Sequence, residues 1–293
     1  MAYIEIQNMT KDYGAGRGIF DVNLSVEQGE VFGFVGTNGA GKTTTLRHLM
    51  GFLKPDKGCA RIDGLDCWKD SAQIKRLVGY VPGEIAFPDA ATGWDFLRQQ
   101  AELLGVKDLS RAKEIVERFQ LDPSANLKRM SKGMKQKTAL VTAFMAEPEL
   151  LILDEPTTGL DPLMRTEFVD LINEEKKKGT TVLMSSHMFD ELEDTCDKVA
   201  LIKEGHIVAE KSTLEIKHNQ QKTYKMEFNN RYDYLKFLSL PFHFEEIQEE
   251  QSQITVQISD QDINQLTKVL KEFDLKFFKE IKYTLEDYFN NLY

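Results

Sequence analysis

The run Gly36-Thr37-Asn38-Gly39-Ala40-Gly41-Lys42-Thr43 carries the densest chemistry in the chain. Its spacing is that of a phosphate-cradling loop, and it stands between a strand-like run, VFGFV, and a helical run, LRHLMGFL. Glycines let backbone N–H groups curl inward around an anion. The helix that follows presents its unsatisfied N–H groups and positive dipole end to the same phosphates. Gly36, Thr37, Asn38, Gly39, Ala40 and Gly41 are thus the expected backbone cradle, and Lys42 a mobile charge toward the β- and γ-phosphates. Thr43, with Thr44 beside it, offers a hydroxyl suited to Mg²⁺, a hard ion that prefers oxygen and keeps several waters. Taken alone, the loop specifies an NTPase or a kinase.

A second constellation, Leu150-Leu151-Ile152-Leu153-Asp154-Glu155-Pro156, is an apolar strand that ends in two carboxylates. Ligands gather at such carboxyl ends of parallel strands. Side chains alternate along a strand, so the two acids point in different directions and can take different tasks. Asp154 is placed to hold magnesium through water, and Glu155 to polarise a water at the γ-phosphate side.

These groups need a rigid frame. Val31 to Val35, Leu150 to Leu153 and Thr181 to Met184 are short apolar runs separated by helical patterns, which reads as a buried, mostly parallel α/β sheet. YIEIQ, FDVNLSV and ARIDG alternate apolar with polar residues, as half-exposed antiparallel strands would, and predict a small β layer. From Trp94 to Phe119, Phe96, Leu97, Leu103, Leu104, Ile115, Val116 and Phe119 recur near helical spacing, so a helical subdomain is expected over about 89–135. Past Lys211 the chemical motifs stop. The order there becomes strand Tyr224 to Phe228, helix Tyr232 to Ser239, strand His243 to Gln248, strand Gln253 to Ile258, helix Asp262 to Phe273, strand Lys276 to Lys282, then a terminal helix. That βαββαβ order is ferredoxin-like. Two domains, 1–215 and 216–293, follow, and the aromatics of the second suit a small core better than a recognition surface.

Composition sets outer bounds. With 41% hydrophobic and 29% charged residues this is an ordinary globular protein, and a formal charge of -10 argues against a nucleic-acid or anionic-lipid partner. Cys59, Cys67 and Cys196 lack metal-ligand spacing and read as structural or incidental, in keeping with a reducing compartment. The opening MAYIEIQNMTKDYG has no basic segment before an apolar run, so no signal peptide is expected. The longest apolar stretch, near Thr138 to Leu153, is broken by Glu147, Pro148 and Glu149, well short of the roughly 20 residues a spanning helix needs. Any membrane role must come through a partner.

Met130-Ser131-Lys132-Gly133-Met134-Lys135-Gln136-Lys137, ahead of Asp154, resembles the signature sequence of ABC ATPases, which usually reads Leu-Ser-Gly-Gly-Gln or Leu-Ser-Gly-Gly-Met. Ser131 also reads as a helix N-cap before TALVTAFMA. The resemblance spans residues 1 to about 215 and implies a P-loop NTPase cassette: a mostly parallel core sheet, an antiparallel β subdomain and a helical subdomain, followed here by the small α+β domain. It implies that Ser131 and Gly133 contact the γ-phosphate held by a second copy or a paralogous cassette, so that hydrolysis requires a dimer around two ATP. Tyr13 resembles the aromatic residue that stacks on adenine. Gly159-Leu160-Asp161 looks like the D-loop, and Ser185-Ser186-His187 like the switch histidine, whose His187 would hydrogen-bond the γ-phosphate and assist Glu155.

Two positions depart from the family pattern. Gly83, in Gly79-Tyr80-Val81-Pro82-Gly83-Glu84, replaces the usual glutamine that touches Mg²⁺ and the attacking water and links to the membrane partner. Glycine has no side chain for this, which leaves Glu84 or a bound water to substitute. Lys132 stands where glycine is usual, either reshaping the loop or adding a cation near phosphate. GTNGAGKTTTLRHLMGFLKPDKG, VGYVPGE and the ending TLEDYFNNLY together resemble ATP-binding subunits of bacterial exporters in the multidrug, antibiotic and sodium efflux group. That implies ATP and Mg²⁺ as cofactors, a polytopic membrane permease as partner, and a peripheral place on the cytoplasmic face of the membrane. The competing reading is a soluble ABC-type ATPase of regulation, translation or repair. Neither the second cassette of the translation type nor the sustained heptads of the repair type appears in the sequence.

Overall fold

The strand Val31–Val35 is buried at all five positions, as an uninterrupted apolar run requires when helices cover both faces of a sheet. It pairs in parallel with Thr181–Ser186 on one side and Lys198–Lys203 on the other. The sheet continues through Leu150–Asp154 to Val78–Val81 at one edge, and His206–Ser212 closes the other edge antiparallel. Register matters here. Val35 lies opposite Ser186, and Asp154 opposite Ser185, so the residues that leave these strands, Gly36, Glu155 and His187, emerge together at the carboxyl end of the sheet.

The computed structural model describes residues 2–88, 90–217 and 221–290. Residues 89 and 291–293, the first of the expected helical subdomain and the last of TLEDYFNNLY, lie outside the described residues. The β layer is a four-stranded antiparallel sheet ordered Gly18–Glu27, Ala2–Asp12, Lys57–Ile62, Leu65–Asp66. In its first strand Val22, Leu24 and Val26 are buried while Asp21, Asn23 and Ser25 face out, the alternation its sequence shows.

The helical stretch is two helices, Gly93–Leu104 and Ser110–Arg118. The first starts on a capping box between Thr92 and Asp95 and stops at Gly105, which takes the left-handed conformation (φ 74°) that ends helices cheaply. Two members of the expected apolar stripe are displaced from the core: Leu103 is 79% and Leu104 40% exposed. The inward face runs through Gly93, Phe96, Leu97 and Ala101; Leu103, two residues past Ala101, projects to the other side, and Leu104 sits in the closing turn. Arg111 reaches Glu175 at 2.7 Å, and Arg118 reaches Glu167 at 2.9 Å and Glu174 at 2.7 Å, tying Ser110–Arg118 to the long helix Pro162–Lys178. That helix has proline in its first turn, Lys176, Lys177 and Lys178 at the negative end of its dipole, and Gly179 beyond.

By its internal contacts the chain divides into Met1–Ser212 and Thr213–Tyr293. The division precedes the 215/216 boundary of the sequence reading because the short helix Thr213–Lys217 packs on the helix Leu285–Asn290 of the second unit. That unit orders its strands His243–Gln248, Gln253–Ser259, Gln221–Phe228, Leu275–Ile281, all antiparallel, with helices Arg231–Leu238 and Ile263–Leu270 between them in the chain. Met226, Phe228, Tyr234, Phe237, Ile254, Val256, Ile258 and Leu266 form its core, and Tyr224, Phe242 and Phe244 pack against it. Of the aromatics assigned to that core, Tyr232 lies outside it, 75% exposed.

Candidate functional site

A pocket of about 480 Å³ opens where the three strands end, lined by Thr37, Asn38, Gly39, Gly41, Lys42, Thr43, Thr44, Arg47, Gly83, Glu84, Glu155, Thr158 and His187. The loop from Val35 delivers the helix Lys42–Leu49, whose N-cap is Gly41, with no side chain capping the first turn. The backbone N–H groups of the first turn are thereby left to an anion. Gly41 has φ +116°, and a Cβ on it would stand 2.7 Å from Ile19 Cγ2, so this position tolerates no other residue without movement. Lys42 is buried, its Nζ donating to the Gly36 carbonyl at 2.6 Å and the Thr37 carbonyl at 3.3 Å, and lying 3.4 Å from Glu155 Oε1. Gly36 and Ala40 stand behind the lining, Gly36 as the lysine's acceptor and Ala40 buried in the core. The helix stops at Leu49, before the Gly51 at φ +64°, so it is shorter than the run LRHLMGFL.

Glu155 leaves its strand at φ +51°, a conformation that costs a non-glycine residue of order 1 kcal/mol and is held by its neighbours. Its N–H donates to both the carbonyl (3.1 Å) and the hydroxyl (3.0 Å) of Ser185. The carboxylate lies between Lys42 on Oε1 and His187 Nδ1, which hydrogen-bonds Oε2. Asp154 is fully buried; Ser185 Oγ donates to its Oδ1 at 2.6 Å, and its Oδ2 has no hydrogen-bond partner. Nearby, burial first and Asp154 second push the Tyr80 phenol up to about 12, so it stays neutral. The chemistry of the group, an orphaned buried carboxylate oxygen against the Gly83 wall of a pocket that Thr43 also lines, fits a hard divalent ion such as Mg²⁺.

Gly83 is explained by that acid. A Cβ at this position would stand 2.8 Å from Asp154 Oδ2 and 3.2 Å from Asp154 Cγ, so the carboxylate occupies the space where a glutamine side chain would begin. Glu84 lines the pocket beside it.

The pocket lining takes in the phosphate loop, Glu155 and His187, but not Tyr13, Ser131, Gly133 or Asp161, and Asp154 stands behind it against Gly83. Tyr13 is 47% exposed, with Lys11 Nζ 6.0 Å from its ring centre. Ser131 accepts the Met134 N–H at 3.2 Å as cap of the helix Lys132–Phe144, and Asp161 accepts the Met164 N–H at 3.0 Å as cap of Pro162–Lys178. Gly133 is tight against the other loop, since a Cβ on it would meet the Gly159 carbonyl oxygen at 2.8 Å. The Lys132 stem lies along Gly159, its Cγ 3.3 Å from where a Cβ on that residue would stand.

Sequence reasoning missed four residues: Ser185, whose hydroxyl fixes Asp154; Gln136, whose amide donates to the Pro156 carbonyl at 2.7 Å; Glu191, which joins Thr157 to Ser186; and Arg47 in the pocket wall. The paired serines before His187 were the available signal, being hydroxyls in an otherwise apolar buried strand. The buried thiols Cys67 and Cys196 are pushed up to about 12 by desolvation, as inert residues would be.

A family model described as ABC transporter matches residues 19–158. The chain is 34% identical over 231 residues to the bacitracin transport ATP-binding protein BcrA of Bacillus licheniformis, covering 78% of this chain and 76% of that one. It is 33% identical to the ABC transporter ATP-binding protein YdbJ of Bacillus subtilis over 98% of this chain and 94% of the relative. Among solved structures, an ATP-binding subunit of an ABC transporter superposes with TM-score 0.68 at 32% identity, over 73% of this chain and 92% of that one. A bacterial ABC transporter cassette solved as a dimer shares the fold with TM-score 0.64 at 22% identity, over 72% of this chain and 98% of that one. With its phosphate loop, paired acids and histidine at the carboxyl end of one sheet, this chain belongs to the ABC transporter ATP-binding proteins, ATPases whose hydrolysis is coupled to transport.

Proposed function

We propose that two cassettes, either two copies of this chain or this chain and a paralogue, close around two Mg-ATP and drive a polytopic membrane permease in export. The observation that carries the chemistry is the Glu155 carboxylate held between Lys42 and His187 at the mouth of the phosphate loop. Phosphate oxygens compete with the Gly36 and Thr37 carbonyls for the Lys42 ammonium, and a lysine turned to phosphate leaves Glu155 Oε1 to a water. Glu155 then acts as general base on that water, and His187 fixes the rotamer through Oε2. Thr43 and Asp154 would hold Mg²⁺, which supplies charge neutralisation on the β- and γ-phosphates.

Export is supported by the relatives' names: bacitracin transport, and daunorubicin/doxorubicin resistance for DrrA of Streptomyces peucetius, 34% identical over 73% of this chain. Among the described residues no helix is long and apolar enough to cross a membrane. In the proposed arrangement a partner spans the membrane and this chain docks at its cytoplasmic face. Ser131 and Gly133, outside the pocket of their own chain, serve the γ-phosphate of the opposite cassette, with Asp161 at the same junction and Tyr13 on the adenine. Purification of the tagged full chain from membranes, with identification of co-purifying polytopic proteins, tests the reading. A permease that raises the ATPase rate is the expected result; a fully active chain with no membrane protein attached would favour the soluble alternative.

A further inference from the structure

Glu191 lies on the helix Phe189–Thr195, only 6% exposed, and no part of the pocket lining includes it. Its Oε2 accepts two hydroxyls from different strand ends: Thr157 Oγ1 at 3.0 Å and Ser186 Oγ at 2.9 Å. Thr157 is two residues past Glu155, and Ser186 immediately precedes His187. Ser186 Oγ in turn accepts the Met188 N–H at 3.0 Å, which fixes the peptide that carries His187. Thr157 and Ser186 are themselves 4% and 1% exposed, so both hydroxyls are buried with the carboxylate that they share.

A buried carboxyl is a costly way to fill space, because an apolar side chain of the same size would avoid the desolvation penalty. The cost here is incomplete in its compensation, since among the described residues neither Glu191 Oε1 nor Arg165 Nε has a hydrogen-bond partner. What the carboxyl provides, and an apolar residue cannot, is one acceptor atom shared by two chain segments. Desolvation, with a further contribution from Glu155, holds the Glu191 carboxyl above the usual carboxylate range, while the two hydroxyls and Arg165 oppose the rise.

We infer that Glu191 is a positioning residue for hydrolysis, a buried clamp that keeps the Glu155 turn and the His187 strand end in the mutual geometry their hydrogen bond requires. It touches neither nucleotide nor water. Its effect reaches the reaction through Thr157 and Ser186, and a misplacement of about 1 Å is enough to cost a catalytic pair much of its rate. This inference rests on Glu155 and His187 being the hydrolytic pair.

The test is steady-state hydrolysis of Mg-ATP by the full chain, with nucleotide affinity by calorimetry and a thermal melt for each variant. Glu191→Ala is expected to lower kcat by about 10- to 100-fold, as small misplacements of catalytic groups do, while nucleotide affinity stays within about twofold. Glu191→Gln retains an acceptor oxygen and is expected to restore most of kcat. Thr157→Val and Ser186→Ala are each expected to lower kcat, and to have no further effect on a Glu191→Ala background, since all three remove one clamp. A wild-type kcat in Glu191→Ala, a loss that glutamine does not repair, or additive losses would overturn the clamp. Should Glu191→Ala fail to fold, the Thr157→Val, Ser186→Ala double variant decides: unchanged kcat overturns the inference. Glu155→Gln and His187→Ala run alongside. If both turn over at the wild-type rate, the hydrolytic pair is wrong and the clamp with it; if both are dead and Glu191→Ala is active, the clamp alone fails.

Discussion

Two halves of the nucleotide machinery in this chain are built to different specifications. The half at the carboxyl end of the sheet is enclosed: Asp154 is fully buried, Lys42 nearly so, and Glu155 is held on both oxygens by side chains from other segments. In the half made of Ser131, Gly133 and Asp161, Gly133 is half-buried, while Ser131 and Asp161 are exposed and among the described residues their side chains cap two helices. Asp154 and Lys42 have been desolvated and braced by folding, where electrostatic interactions are strongest, while His187 stays exposed at the mouth of the pocket. On the proposed reading Ser131 and Asp161 await a second surface, and they stay exposed, held by hydrogen bonds from backbone N–H groups. That contrast is what a site completed across a dimer should look like in one of its halves.

The sharpest way to break the contrast is at Glu155. Glu155→Gln keeps the size and the hydrogen bond to His187 but cannot take a proton, and should slow hydrolysis by about 10²- to 10⁴-fold, the usual range for a lost general base. Nucleotide affinity should survive, so the variant should accumulate as an ATP-bound dimer on a sizing column. Full turnover would remove Glu155 as base; a monomer with Mg-ATP bound would remove the outward half from the mechanism. Next in size is Lys42→Ala. Loss of charge-assisted hydrogen bonds to phosphate should weaken ATP binding by about 1.5–3 kcal/mol in calorimetry. An unchanged affinity would mean that the buried ammonium serves only the Gly36 and Thr37 carbonyls.

Gly133→Ala probes the outward half with a smaller perturbation. The added methyl meets the Gly159 carbonyl oxygen at 2.8 Å and must push one loop away from the other. ATP binding to the isolated chain should be unaffected, because Gly133 is outside the pocket, while nucleotide-dependent dimerisation should weaken by about 1–3 kcal/mol, the ordinary cost of overpacking. Weakened ATP binding in the monomer would tie this loop to its own pocket and erase the distinction.

Local pattern made the enclosed half readable, and the reason is physical. A glycine-rich loop between strand and helix, and an apolar strand ending in two acids, are short-range signals, and parallel pairing then fixes which strand ends meet. Ser185 and Gln136 stayed hidden because their partners are 31 and 20 residues away in the chain, and Glu191 because one of its two partners, Thr157, is 34 residues away although the other, Ser186, is five. The C-terminal strands and helices were legible to within about three residues, since alternation and helical spacing are also local. Leu103 and Leu104 misled for the complementary reason: spacing gives a face, but where a helix outruns its packing partner is tertiary information. Gly83 was read as a missing ligand, and became intelligible only with Asp154 Oδ2 placed against it.

The smallest expected effect is at Asp161, and it separates two roles that coincide in one side chain. As cap of Pro162–Lys178 the carboxylate accepts the Met164 N–H, so Asp161→Ala should lower stability by about 1 kcal/mol, or roughly 2–4 °C in the melting temperature of a domain of this size. Asn is as good a cap as Asp, so Asp161→Asn should melt like the parent chain. If capping is all Asp161 does, the Asn variant also hydrolyses ATP and dimerises normally. If the exposed carboxylate contributes charge to the opposite cassette, Asn leaves the melt unchanged and lowers nucleotide-dependent dimerisation, an effect that high salt should also mimic in the parent because exposed charges are screened. A melt lowered equally by Ala and Asn would mean that the carboxylate's charge at the positive end of the helix dipole, and not its cap hydrogen bond, carries the stabilisation.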